Sequence, residues 1–91
     1  MAKIVVDVEQ KIMAIGAELH AEAESLLMER EGSKRKDTWG LNIYPGKPTE
    51  EWLEFDSMVN IKPAHGNRSR KIESEEARSK VAAVVNGLIK I

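Results

Sequence analysis

The fold is decided by the stretch from residue 39 to residue 55, which reads WGLNIYPGKPTEEWLEF and holds both tryptophans, the tyrosine and the phenylalanine of the chain. Apolar and polar residues alternate on either side of its middle, which is the pattern of strands with one buried face. The middle itself, residues 45–49, is rich in proline and glycine, the residues of tight turns. The stretch therefore predicts a β-hairpin that carries most of the core volume.

The register of this hairpin follows from its turn. A hairpin closed at residues 45–49 pairs Tyr44 with Trp52, and the alternation then separates an apolar face from a polar face. A shift by one residue would place Glu54 and Asp56 in the core, so the register is well specified. We expect the second strand to continue this alternation as far as Ile61. The predicted pairs are Ile43–Leu53 and Leu41–Phe55 on the apolar face, and Asn42–Glu54 and Gly40–Asp56 on the polar face.

The N-terminal segment predicts another antiparallel hairpin. Apolar residues recur at every second position from Ile4 to Val8, as in a strand with one buried face. A second apolar run, Ile12–Ile15, ends at Gly16 and is separated from the first by polar residues 9–11. These two runs are expected to pair with each other.

Residues 18–31 admit two interpretations. Their composition favours a helix, because good helix formers dominate and apolar positions recur at helical spacing. The short run Leu26–Met28, placed before Gly32, also fits a third strand that enters a turn, so the choice between helix and strand stays open. The next residues, 33–37, are mostly cationic and predict a solvated loop. The apolar face of the helix would hold Leu19, Ala23, Leu26, Leu27 and Arg30.

A final helix is predicted to begin after Ser74, a good N-cap, with Glu75 and Glu76 in the first turn where the helix dipole favours negative charge. Its apolar stripe comprises Ala77, Val81, Val84, Val85, Leu88 and Ile89. The chain is therefore predicted to be a single α+β domain over residues 1–91. It should have an antiparallel sheet of four to five strands, with the C-terminal helix packed on one face. A second short helix is added if residues 18–31 are helical.

Composition narrows the classes of function. Fourteen basic residues oppose 15 acidic ones, and the net charge of −1 favours neither a nucleic acid nor an anionic membrane as partner. The chain has no cysteine, which excludes disulfides, a thiolate nucleophile and a zinc site built on sulfur. Its apolar runs are too short for a signal peptide or a membrane span. We expect a cytoplasmic protein without a cofactor.

The polar face of the central hairpin is the first candidate site. Antiparallel sheets commonly keep one face in water, so a solvated surface is one interpretation. Tyrosine and tryptophan are enriched at the centres of protein interfaces, so a homodimer or partner interface is another. A small-molecule pocket is the third. The candidate residues are Asn42, Tyr44, Trp52, Asp56 and Asn60.

The second candidate is the loop that contains His65, Asn67, Arg68 and Arg70. Backbone N–H groups near Gly66 and two guanidinium groups suit a phosphate or carboxylate, which predicts weak anion binding. A structural role, with the arginines paired to carboxylates of the same chain, is the alternative. No metal site is predicted, because the two histidines, His20 and His65, lack a close ligand pair.

Several motifs resemble those of a known family. The motifs are VVDVE (5–9), MAIG (13–16), ELHA (18–21), WGLNIYP (39–45), EFDS (54–57), NIKP (60–63) and GNRS (66–69). Together they resemble a small bacterial and archaeal family known only as a domain of unknown function. The resemblance spans most of the chain and implies a compact, cytoplasmic prokaryotic protein. It brings no activity, cofactor or catalytic residue.

Two functions remain as hypotheses. The first is a small non-enzymatic binding or interaction module that self-associates. The second is a small hydrolase or acid–base enzyme that uses His20 or His65 together with Asp56 and an arginine. An enzyme requires titratable groups that converge in a pocket, whereas an interface requires an exposed apolar surface.

Overall fold

The computed structural model describes residues 1–48 and 51–89. Within them, two helices lie on opposite faces of a four-stranded antiparallel sheet with the strand order β2-β1-β3-β4. This confirms the α+β class, the first hairpin and the C-terminal helix. The elements are β1 (Ala2–Asp7), β2 (Ile12–Ile15), α1 (His20–Glu31), β3 (Thr38–Ile43), β4 (Leu53–Glu54) and α2 (Glu75–Leu88).

The first strand, β1, is buried on both faces. Ile4 and Val6 belong to the larger core, which α2 covers, and Val5 belongs to a smaller core with Ala23 and Leu27 of α1. The expectation of one buried face was therefore wrong. The alternation within β1 does not show that its second face is buried, because the helix that covers this face, α1, comes from a later part of the chain.

Residues 20–31 form a helix, which resolves the choice between helix and strand. The C-cap, Gly32, adopts a left-handed conformation with φ of 68° that favours glycine. The predicted apolar face was rotated from the observed one, since Leu19 and Leu26 are exposed. Polar side chains occupy part of the buried face because they find hydrogen-bond partners on the sheet. The buried residues of α1 are His20, Ala23, Glu24 and Leu27.

The cationic segment 33–37 is solvated only in part: Lys34 and Lys36 are exposed, whereas Ser33 and Arg35 contact distant residues. The Ser33 hydroxyl is buried and donates to the Asp7 carboxylate over 2.6 Å. The Arg35 guanidinium donates to the carbonyls of Val59 and Ile61 at 3.0 and 2.8 Å, and it pairs with Glu24 at 3.1 Å. Such contacts join residues more than ten positions apart, so a local pattern does not predict them.

The predicted register of the central hairpin is confirmed where its strands pair. Asn42 lies opposite Glu54, Ile43 lies opposite Leu53, and the Tyr44 N–H donates to the Trp52 carbonyl over 2.8 Å. The strand ends at Glu54, so the expected continuation to Ile61 was wrong.

A 3-10 turn at Met58–Asn60 replaces the rest of that strand. There the Asn60 side chain, instead of a strand, bonds the backbone at the edge of β3. Its Oδ1 accepts from the Gly40 N–H at 2.8 Å, and its Nδ2 donates to the Gly40 carbonyl at 2.9 Å.

The C-terminal helix α2 begins as predicted. The Ser74 hydroxyl accepts from the Ala77 N–H at 3.2 Å, which is the expected N-cap bond. Val81, Val84 and Val85 are buried in the larger core, whereas Leu88 is 54% exposed. Ala77 and Ile89 also pack against this core, so the predicted apolar stripe is confirmed except at Leu88.

Candidate functional site

The polar face of the hairpin forms a hydrogen-bonded group around Glu54. Its Oε1 accepts from the Asn42 amide and from the Tyr44 hydroxyl, both at 2.9 Å. The bond from Asn42 is the main cause of a lowered pKa at Glu54, and the bond to Glu54 raises the pKa of Tyr44. Asn42 itself is buried, and its Oδ1 has no hydrogen-bond partner among the described residues.

Two of the predicted face residues lie elsewhere. The Trp52 indole donates to the Lys47 carbonyl at 2.7 Å, and its ring packs against the larger core. Asn60 is fully buried as the anchor of β3. Asp56 is partly exposed and pairs with Arg70 at 2.8 Å. The exposed polar face is therefore smaller than the sequence predicted.

His20 is the first residue of α1 and is buried against β3. Its Nε2 bonds the Leu41 carbonyl at 2.8 Å, which requires a proton on Nε2 and leaves Nδ1 as an acceptor in the neutral ring. Burial is the main cause of its lowered pKa, with the charges of Lys3, Asp56 and Arg70 within electrostatic range. The charges of Asp56 and Arg70 thus act on His20, whose ring makes its one hydrogen bond among the described residues to the Leu41 carbonyl.

The surroundings of His65 are different. It is exposed at the end of a 3-10 turn, Pro63–His65, and lines a cavity of about 310 Å³ with Trp39 and Lys80. In the part of the chain that the structure describes, no three His, Asp or Glu side chains come together as a metal site. The two histidines are therefore in separate surroundings.

Asn67 organises the loop that was predicted to bind an anion. Its buried Nδ2 donates to the carbonyls of Asn60, Ser69 and Lys71 at 2.8, 3.1 and 2.7 Å, and its Oδ1 accepts from the Glu73 N–H at 2.8 Å. These bonds hold the loop closed. Asn67 therefore has a structural role in this arrangement.

A carboxylate of the same chain already occupies the backbone donors of this loop. Glu73 Oε2 accepts from the N–H groups of Arg68 and Ser69, both at 2.8 Å, and the Arg68 bond is the main cause of its lowered pKa. An external anion would have to compete with Glu73 for these donors.

Arg70 also lines a cavity of about 610 Å³ beside β4. Two further cations, Lys71 and Arg78, line the same cavity, with Phe55 and the carboxylate of Asp56. The carboxylates of Glu54 and Asp56 line it too, so the three cations leave one net positive charge around the cavity for a negatively charged group.

The sequence did not single out Lys62, which is almost fully buried. Its ammonium donates to the carbonyls of Arg35 and Thr38, and it lies 4.1 Å from the centre of the Trp39 ring. Burial is the main cause of its pKa being lowered to about 8. The only signal in the sequence was a lysine at the end of an alternating apolar pattern.

The outer edge of β2 is one of the two open edges of the sheet in the part of the chain that the structure describes. β2 pairs with β1 on one side, and none of the other described strands pairs with it. The Gly16 N–H donates to the Lys3 carbonyl, and Val5 lies opposite Ala14, so the even-numbered residues of β2 direct their backbone groups to β1. Met13 and Ile15 therefore direct their N–H and C=O groups outward.

Exposed apolar side chains surround this edge. Ile15 is 51% exposed at the end of β2. In α1, His20 and Glu24 point towards β3. Leu19, the N-cap residue before α1, and Leu26, on the flank of α1 away from β3, both lie at the surface. They are 59% and 43% exposed. The edge thus joins unpaired backbone groups to an apolar rim formed by Ile15, Leu19 and Leu26.

The comparisons with known proteins give one match. The model of a family described as "Protein of unknown function (DUF5674)" matches residues 1–88. Neither the curated proteins nor the solved structures include a match to this chain. Neither described helix is long and apolar enough to cross a membrane.

Proposed function

Because the chain belongs to the DUF5674 family, whose function is unknown, we propose a function from the geometry. The protein is a small non-enzymatic interaction module that self-associates through the outer edge of β2. The observation that carries this proposal is the unprotected state of that edge. β2 reads IMAI and contains neither a charged residue nor a proline. Native proteins usually protect exposed edges with such residues or cover them, because an open edge accepts another strand.

Strand addition at this edge has two favourable terms. It gives partners to the outward backbone groups of Met13 and Ile15, and it removes the apolar rim from water. Each apolar side chain that becomes fully buried contributes about 1.5–3 kcal/mol before the cost of association is subtracted. A four-residue strand with a short rim predicts a weak interface, with dissociation in the micromolar range or above.

Sedimentation velocity over about 1 µM to about 1 mM tests the proposal. We expect the average mass to rise from monomer towards dimer. Ile15→Lys should keep the protein monomeric, because it places a charge in the rim. Met58→Lys is the matched control, since Met58 is also apolar and is 65% exposed, but it follows β4 at the other side of the sheet. A monomer at every concentration would exclude self-association.

A second candidate function is acid–base chemistry at His20. It is supported by the Nε2 bond to Leu41, which fixes the neutral tautomer with its lone pair on Nδ1, and by the charges of Asp56 and Arg70 within electrostatic range. Chromogenic ester and phosphoester substrates can be compared between the native chain and His20→Asn. His65→Asn is the control, because that histidine lies in a separate cavity. Activity unchanged by His20→Asn would contradict this role.

Weak anion binding by the loop of His65, Asn67, Arg68 and Arg70 remains a subordinate proposal. It is supported by the three cations around the cavity at Arg70. An NMR titration with inorganic phosphate should shift amides between residues 65 and 71, and these shifts should shrink in the double variant Arg68→Ala, Arg70→Ala. Glu73→Gln should strengthen binding, because it weakens the internal competitor. No shift in any of these proteins would leave the loop with a structural role alone.

A further inference from the structure

We infer that the strand added at this edge is β2 of a second copy, related by a two-fold axis beside Ala14, so that Met13 of each chain pairs with Ile15 of the other. The inference rests on the proposed self-association and specifies its geometry. It follows from three independent features: the alternation of faces along β2, the direction of its backbone groups and the position of α1.

Alternation restricts the register. Ile12 and Ala14 belong to the face that α1 covers, whereas Met13 and Ile15 belong to the face of α2. A two-fold axis perpendicular to the sheet keeps each face continuous across the new pair of strands, and residues directly opposite in a ladder share a face. Odd-numbered residues therefore pair only with odd-numbered ones, which leaves registers centred on Met13, Ala14 or Ile15.

The backbone selects among these three registers. Only Met13 and Ile15 present outward N–H and C=O groups within β2. Centring on Ala14 pairs Met13 with Ile15 twice, which makes two hydrogen-bonded pairs. Centring on Met13 would also require Lys11, which lies in the turn with φ of 57°, and centring on Ile15 would require Ala17, beyond Gly16 with φ of 92°. The registers centred on Met13 and on Ile15 therefore keep one hydrogen-bonded pair each within β2.

The position of α1 fits this register. α1 packs through Ala23 and Leu27 on β1 and β2, and its His20 and Glu24 side chains bond β3, so its axis lies over β1, one strand in from the open edge. With strands about 4.8 Å apart, the two copies of α1 would lie about 14 Å from each other, a distance that side chains on their facing flanks can bridge. Leu19 and Leu26 on the facing flanks would then cover each other.

Charges on the same flank also favour a second copy. Glu18 precedes α1 and Glu22 lies in its first turn, and the last turn carries Arg30 between Glu29 and Glu31. An antiparallel two-fold arrangement places the Arg30 end of one helix near the acidic end of the other. The surface is thus complementary to itself in backbone pairing, apolar contact and charge.

Cysteine cross-linking tests the register, and the native chain has no cysteine to interfere. Ala14 would face its own copy in a non-hydrogen-bonded pair with Cα atoms about 4.5 Å apart, within the range of a disulfide. Met13 would lie about 8 Å from its own copy, beyond that range. Under mild oxidation, Ala14→Cys should give at least several-fold more covalent dimer than Met13→Cys, the matched control.

The outcomes separate this inference from the proposed function. Dimers in sedimentation with no excess of cross-linked Ala14→Cys over Met13→Cys would overturn the register and leave self-association standing. Monomers throughout would overturn both. If Ala14→Cys fails to fold by circular dichroism, a nitroxide on Lys11→Cys provides the measurement. The inferred register places each label beside residue 17 of the other copy and predicts line broadening there by NMR, whereas centring on Met13 places it beside Ile15.

Discussion

The side chain of Asn60 makes the hydrogen bonds to the β3 backbone that a longer β4 would otherwise make. Its amide bonds both backbone groups of Gly40 and also donates to the Arg70 carbonyl at 2.9 Å. The edge of β3 is therefore satisfied beyond the point where β4 ends. The same device recurs at Asn67, whose amide closes the following loop. Buried amides rather than strand length hold this side of the sheet.

Asn60→Ala should destabilise the protein by about 2–4 kcal/mol, because it leaves the Gly40 N–H and carbonyl buried without partners. Urea unfolding followed by tryptophan fluorescence measures the loss. Met58→Ala, an exposed position in the same 3-10 turn, is the control and should cost less than about 0.5 kcal/mol. Equal losses in the free energy of unfolding would show that the Asn60 amide contributes no more to stability than the exposed Met58 side chain.

His20 should make stability depend on pH on the acid side. Its folded-state pKa lies below the ordinary value of 6.5, mainly through burial. As the pH falls through 6.5, the unfolded chain binds the proton first, so the free energy of unfolding decreases. Urea unfolding at pH 7 and pH 5 should show this decrease in the native chain and a smaller one in His20→Asn. A decrease of the same size in both proteins would contradict the assignment.

At the scale of elements, β3 is packed from both sides along its whole length. The turn at Met58–Asn60 lies so close to Gly40 that a Cβ there would approach the Ser57 Oγ to 2.6 Å and the Val59 Cγ2 to 2.8 Å. The absence of a side chain at Gly40 is what allows this turn to lie against the strand. The glycine at this position therefore allows β4 to be short and allows the Asn60 side chain to reach the backbone of β3.

Gly40→Ala should therefore cost about 1–3 kcal/mol, as overpacking of a tight contact does. Gly87→Ala offers the matched control, because a Cβ at that position in α2 meets nothing within 4 Å. In a helix this control should stabilise the protein by up to about 1 kcal/mol. Thermal unfolding monitored by circular dichroism compares the two. A neutral Gly40→Ala would mean that the turn moves away at little cost.

Elements defined by local pattern could be predicted from the sequence. The first hairpin, the register at Asn42–Glu54 and the cap at Ser74 depend on neighbouring residues and on period, and all three are observed. The buried face of α1 and the end of β4 depend on distant partners, such as the bond from His20 to Leu41. Asn42 and Tyr44 alternate along one strand, so the sequence predicts that they share a polar surface. The burial of Lys62 depends on residues far along the chain, so the sequence does not predict it.

For the molecule as a whole, the sheet separates two cores of unequal size. The larger core lies under α2 and contains Trp39, and the smaller core lies under α1. Lys62 lies at the margin, with its ammonium over the Trp39 ring and its hydrogen bonds on the segment that joins α1 to β3. A positive charge is thereby kept inside the folded molecule.

This buried charge predicts that the protein gains stability at alkaline pH. The pKa of Lys62 is about 8 in the folded chain and 10.5 as its ordinary value. Between these values the unfolded chain holds the proton that the folded chain has lost, so the free energy of unfolding rises with pH. Urea unfolding between pH 7.5 and about pH 9.5 should show the rise, and Lys62→Met should remove it. A flat profile in the native chain would contradict the shift.

The place of β1 in the sheet has a consequence for how the chain folds. β1 lies in the interior of the sheet, yet its partner β3 begins at Thr38, and α2, which covers Ile4 and Val6, begins at Glu75. During synthesis at roughly 5–20 residues per second, the unit of β1, β2 and α1 emerges with one apolar face uncovered for several seconds. A nascent chain at this stage presents that face and the open β2 edge together, which is the combination that chaperones and neighbouring nascent chains recognise.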